Sequence, residues 1–245
     1  MTYITYDKLM DKINRLSQQY AIDEALFYQI VEHWDEQDVP VEKKLTESFK
    51  GLLNQVSAEM DKMDNVMEQK PTCFMGCAFC CYFPIIVTGL EAKLIKHAIE
   101  QFPDKRRLAI FRHLVEYQER HRMTLAKARS IDFKEDADFK RKYRSLDLPC
   151  PLLDLKTNSC IAYEVRPIPC RTYVNYLDPL LCEENRMPKE TVSFEFLYGP
   201  YFEALNDFVQ WLYEDGDTGI IDYPEDLFSE DYLINWLDIT KASEA

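Results

Sequence analysis

All eight cysteines of the 245-residue chain lie between Cys73 and Cys182, and the first 72 residues and the last 63 contain none. Core packing alone would scatter them, so the confinement points to one site. The stretch Met1–Leu16 alternates charged and apolar residues without the apolar run of an export signal. The longest nearly apolar run, Tyr82–Leu90, is far too short to span a bilayer. The expectation is a soluble cytoplasmic protein. There thiols stay reduced, and a cysteine cluster serves metal or redox chemistry rather than disulfides.

Composition narrows the classes further. The chain is 47% hydrophobic with only 6 Gly, enough to bury a core and unlike collagenous or disordered sequences. Its 29 Lys and Arg against 43 Asp and Glu leave a net charge of -14. A chain this acidic is, as a whole, neither a nucleic-acid nor an anionic-membrane binder. The charge is uneven. Asp104–Arg144 carries 13 basic and 7 acidic residues, whereas Phe202–Ala245 carries 1 Lys and 12 acids. The basic stretch reads as a solvated helix face or as a counterpart of the acidic end.

Helical periodicity flanks the cysteines on both sides. Tyr6, Met10, Ile13 and Leu16 share one face, and Leu26, Phe27, Ile30, Val31 and Trp34 mark a second helix. Pro40 opens a long third helix with Val41, Leu45, Phe49, Leu52, Val56, Met60, Met63 and Met67 on one face, ended by Pro71. Steps of 4, 4, 3, 4, 4, 3 and 4 make an 11-residue repeat, not the heptad of a left-handed coiled coil. Phe83–Val87 reads as a short extended stretch. Thr88 and Glu91 then form a capping box that starts a helix through about Ile99. Asp104 to about Arg129 lacks Gly and Pro and reads as a helix with a stripe of Leu108, Phe111, Leu114 and Val115. From Asp147 to Pro188 six prolines break any long helix. Tyr201–Tyr213 returns to helix, with Phe202, Leu205, Phe208, Val209 and Leu212 on its face. Tyr232, Leu233, Trp236 and Leu237 suggest a last helix. The fold class read from this is mainly α: a helical domain with an irregular cysteine-rich, metal-binding segment in the middle. Its stretches are 1–70, an N-terminal helical region; 71–188, the cysteine-cluster core; and 189–245, an acidic helical region, expected to join in one compact domain.

The first cysteine block is Cys73-Phe-Met-Gly-Cys77-Ala-Phe-Cys80-Cys81. Thiolates two or three residues apart converge on one ion or cluster through a tight turn, for which Gly76 supplies the freedom. The second block holds Cys150, Cys160 and Cys170, with Arg166 and Arg171 flanking the last. It has no second paired knuckle, and His33, His97, His113 and His121 lie outside both blocks, which argues against a Cys/His zinc finger. Thiolates on a metal carry net negative charge. Arg166 and Arg171 are placed to offset it and to donate hydrogen bonds to sulfur, and so are candidate cofactor-binding residues. Asp215-Gly-Asp217 has its glycine misplaced for a calcium loop and is no EF-hand.

The run C-x3-C-x2-C-C, then C-P-x-L, then C-x2-Y-x2-R-P-x2-C-R resembles the YkgJ-type cysteine-cluster family, described as a zinc- or iron-chelating domain. The matching residues are Cys73, Cys77, Cys80, Cys81, Cys150, Pro151, Leu153, Cys160, Tyr163, Arg166, Pro167, Cys170 and Arg171. The resemblance covers about residues 70–175 and leaves Cys182 outside. It implies a metal site whose ligands come from Cys73, Cys77, Cys80, Cys81, Cys150, Cys160 and Cys170, with an iron–sulfur cluster or zinc as cofactor. Flagellin lysine methylases carry a similar cluster, which sets methyl transfer beside redox chemistry, although no residue here identifies that activity.

Three functions compete. The first is a cysteine-cluster metalloprotein holding an iron–sulfur cluster or zinc, serving a protein or electron-transfer partner. Seven thiols exceed the four of one tetrahedral ion, and zinc sites favour paired knuckles, so the count leans to iron–sulfur. The second is a radical S-adenosylmethionine enzyme, because Cys73, Cys77 and Cys80 have its C-x3-C-x-aromatic-C spacing. Against it, a helix precedes the motif and alternating strand–helix units are lacking. The third is a structural zinc module that presents helices to a partner.

Overall fold

The computed structural model describes residues 3–239. In chain order the helices are α1 Tyr6–Gln19, α2 Ala25–Asp35, α3 Val41–Met67, α4 Gly89–Glu100, α5 Asp104–Arg129, α6 Phe139–Arg144, α7 Ile168–Thr172, α8 Leu180–Glu184, α9 Tyr198–Glu214, α10 Glu225–Phe228 and α11 Leu233–Trp236. The strands are β1 Ile86–Thr88, β2 Leu153–Asp154, β3 Ser159–Cys160, β4 Tyr173–Val174, β5 Val192–Ser193 and β6 Glu230–Tyr232. The class is mainly α. The chain divides into two units, one from Met1–Phe74 and Pro167–Tyr223, the other from Met75–Arg166 and Pro224–Ala245. Both draw on more than one of the stretches 1–70, 71–188 and 189–245.

The first unit is built on α3. Leu45, Phe49, Leu52, Val56 and Met63 on its repeat face are fully buried, and Met60 and Met67 nearly so. This is the outcome a long amphipathic helix with a near-helical repeat requires. α1, α2, α7 and α9 pack on it. Gly51 lets α2 come close: a Cβ there would stand 2.6 Å from Ile30 Cγ2. The Tyr28 hydroxyl on α2 donates to Asp207 Oδ2 on α9 at 2.8 Å, and the Tyr20 hydroxyl donates to the Glu59 carboxylate. α3 ends before Pro71, because Glu68 turns left-handed at φ 49° and its N–H bonds back to Asn65 O. On α1 the buried residues are Leu9 and Leu16, while Tyr6 is exposed, so the helix is rotated from the face its apolar spacing suggests.

The second unit packs around Tyr117, Leu125, Ala128, Tyr143, Leu148, Tyr232 and Ile234. Thr88 caps α4 as expected: its side chain accepts the Glu91 N–H at 3.1 Å. Thr88→Ala is expected to cost about 1 kcal/mol in urea unfolding; a change within about 0.3 kcal/mol would mean the cap contributes little. β1 pairs antiparallel with β6, Val87 opposite Asp231. Tyr232 therefore closes a strand, and the last helix starts one residue later than its apolar pattern implies. The stripe read on α5 needs a correction. Leu108 and Phe111 are exposed, and the helix buries Ile110, Leu114, Tyr117, Gln118, Leu125 and Ala128 instead. Tyr, Gln and Ala weigh little in an apolar count, yet they fill this interface. The basic helix does meet the acidic end at one point, where Arg129 pairs with the buried Asp238 at 2.7 Å. Among the described residues no helix is long and apolar enough to cross a membrane.

Candidate metal centre

In the second unit, parts of both cysteine blocks come together. Gly76 sits at φ 97°, a value that favours glycine, and turns the loop before Cys77. Cys80 and Cys81 then lie in a 3-10 turn, Phe79–Tyr82. The Cys150 N–H donates to the Cys81 carbonyl at 2.6 Å, which fixes the second block against the first. The antiparallel pair β2–β3 brings in Cys160, directly opposite Leu153. Its turn is set by Asp154, whose carboxylate accepts the Lys156 N–H and the Thr157 hydroxyl, and by Asn158 at φ 51°. Ile161 N–H closes the pair on Leu152 O at 2.9 Å.

The thiols feel one another. Cys80 is exposed although protein crowds around it, and its pKa is lowered by a hydrogen bond from Cys81; burial and Cys77 oppose this, and Arg166 assists. Burial pushes the Cys160 thiol up, against the pull of Arg166 and Arg106. Cys150 is buried and raised far above its ordinary value by desolvation, with the charges of Cys160 and Cys80 adding to it. Its sulfur accepts the Leu152 N–H at 3.5 Å. The Arg166 guanidinium lies 4.3 Å from the centre of the Tyr163 ring, which steadies a cation facing two cysteines.

The other residues named from the sequence belong to the first unit. Cys73 Sγ accepts the Asn175 N–H at 3.4 Å. Cys170 sits on α7, its N–H on Pro167 O. Arg171 is buried and donates from Nη1 to Ser57 Oγ at 2.8 Å, so it braces α7 on α3. Cys182 lies on α8.

Several supporting residues carried no signal in the sequence. Arg106 forms a two-pronged pair with Glu164, both contacts at 2.7 Å, and donates to Ile161 O, next to Cys160. The Tyr117 hydroxyl donates to Pro149 O at 2.7 Å, and His113 Nε2 lies 3.0 Å from Pro151 O. The carbonyls on both sides of Cys150 are thus held by α5. The buried Arg144 guanidinium lies over the Tyr82 and Phe83 rings, just after the vicinal cysteines. These residues are hidden in the apolar and basic texture of helices, where no motif marks them.

The donor chemistry suits a soft or borderline metal: thiols, with guanidinium groups nearby to offset thiolate charge. Among the described residues, however, no three His, Cys, Asp or Glu side chains are drawn together tightly enough to hold an ion.

Residues 72–192 match the profile of the CxxCxxCC family, described as a "putative zinc- or iron-chelating domain". No curated protein and no solved structure matches the chain.

Proposed function

We propose, from the match of residues 72–192 to this cysteine-cluster family, that the chain is a metal-chelating protein in which Cys77, Cys80, Cys81, Cys150 and Cys160 supply the thiolates of an iron–sulfur centre. The observation that carries the reading is the junction of the two blocks at Cys81 and Cys150. It joins the two blocks through the backbone, Cys80 and Cys160 both act on Cys150, and the Arg166 guanidinium acts on Cys80 and Cys160. An iron–sulfur centre supplies one-electron transfer when bound, and hydrogen bonds and nearby charge set its potential. The protein's part is to hold the sulfurs, to offset their charge through Arg166, and to keep Cys150 away from water. The partner in this reading is an electron-transfer protein.

A structural zinc module is the second reading. It is favoured by the exposed Leu108 and Phe111, one turn apart on α5. Metal and acid-labile sulfide analysis of anaerobically purified protein separates the two. Iron with sulfide is the expected result. Zinc without sulfide supports the second reading, and absence of both metals contradicts both.

A further inference from the structure

Leu108 begins a longer pattern on the outer side of α5. Leu108, Arg112, Glu119 and Met123 are all exposed. At about 3.6 residues per turn they fall within about 60° of one another, on the side away from the buried Ile110, Leu114, Tyr117 and Leu125. Their order is apolar, Arg, Glu, apolar, with spacings of 4, 7 and 4. Laid against its own reverse, that order sets apolar on apolar and base on acid.

Among the described residues, Arg112, Glu119 and Arg122 close no ion pair within the chain. Arg106, Arg107 and Arg129 are paired with Glu164, Asp104 and Asp238, so much of the positive charge of the helix is already balanced. Two parallel copies of α5 would set Arg112 on Arg112 and Glu119 on Glu119. Two antiparallel copies, related by a two-fold axis between Val115 and Glu116, set Leu108 on Met123 and Arg112 on Glu119, each twice. Val115, half-buried, lies at the centre beside its own copy. Phe111 and Arg122 share one edge of the face, which brings the guanidinium of one copy to the ring of the other.

We infer that the outer face of α5 is a docking surface for a second copy of this chain, the two helices packed antiparallel about a two-fold axis at Val115 and Glu116. From Leu108 to Met123 the face runs about 22 Å along the helix. That is the small end of specific interfaces, so the dimer forms and dissociates in the micromolar range. The inference stands on α5 alone and is independent of which metal the cysteines hold.

The test is sedimentation equilibrium of the full chain across the micromolar range. The wild type is expected to pass from monomer to dimer. Arg112→Glu alone and Glu119→Arg alone each set like charges opposite one another twice, and each should weaken the dimer about tenfold. Both changes on one chain restore the acid–base pairs with reversed polarity and should bring dimerisation back to the wild-type level. Mixing the two single variants should do the same, because they complement each other as a heterodimer. Both positions are exposed, and Arg and Glu are both good helix formers, so the fold is kept; circular dichroism verifies this. A wild type that stays monomeric at the highest concentration would overturn the inference. So would single variants that dimerise like the wild type, or failure of the double variant or of the mixture to regain the dimer.

Discussion

Cys160→Ser and Cys80→Ser are each expected to leave the purified protein without bound metal, while Cys182→Ser retains it. A hydroxyl is a poor ligand beside thiolates, and the remaining sulfurs then repel one another without the ion to balance them. Loss of a hydrogen-bonded neighbour of a ligand costs about 10–100-fold in metal affinity, so loss of a ligand should exceed that. Arg166→Gln provides the intermediate case. It should fall within the 10–100-fold range, because it removes the cation acting on Cys80 and Cys160 but no sulfur. Cys182 serves as the control, since it lies outside the matched motif, on α8 of the other unit. The measurement is metal per chain, with competition against a chelator for affinity. Full loading of both the Cys80 and Cys160 variants would remove those residues from the ligand set.

Phe49→Ala is expected to destabilise the protein by about 3–5 kcal/mol in urea unfolding. Phe49 is fully buried in the N-terminal part of α3, the helix on which α1, α2, α7 and α9 pack. Small domains have only about 5–15 kcal/mol to lose, so the variant should unfold well below the wild-type midpoint. α7 carries Cys170 and Arg171, and Arg171 is bonded to Ser57 of α3. The damage should therefore reach those residues as well. A cost under about 1 kcal/mol would mean that α3 is not the centre of its unit.

The long helices were legible because their apolar residues recur at helical spacing over many turns. α3 is the clearest case: of its eight repeat positions only Val41 stays partly exposed. α5 shows the limit of the same reasoning. Its length was readable, but its inward face was not, because Tyr117, Gln118 and Ala128 are buried while Leu108 and Phe111 are left outside. Which side of a helix faces the core is decided by what packs on it, and a single sequence does not contain that information.

The metal-site chemistry was legible in a different way. Cysteine spacing marked the blocks, and Arg166 stood out by lying between Cys160 and Cys170. The hairpin that sets Cys160 opposite Leu153 has strands of two residues each, too short to leave an alternating pattern. Arg106, His113 and Tyr117 act on this segment from 32 to 55 residues away along the chain, through carbonyls that any residue would present. Nor does a linear reading show that the chain leaves the first unit after Phe74, returns at Pro167 and leaves again after Tyr223.

X-ray absorption at the edge of the metal found in anaerobically purified protein tests the central claim most directly. The account expects a first shell dominated by sulfur, at about 2.3 Å whether the metal is zinc or cluster iron. For iron, a second iron neighbour would mark the cluster. A first shell of nitrogen and oxygen would contradict it, because the thiols of Cys77, Cys80, Cys81, Cys150 and Cys160 would then not be what holds the metal.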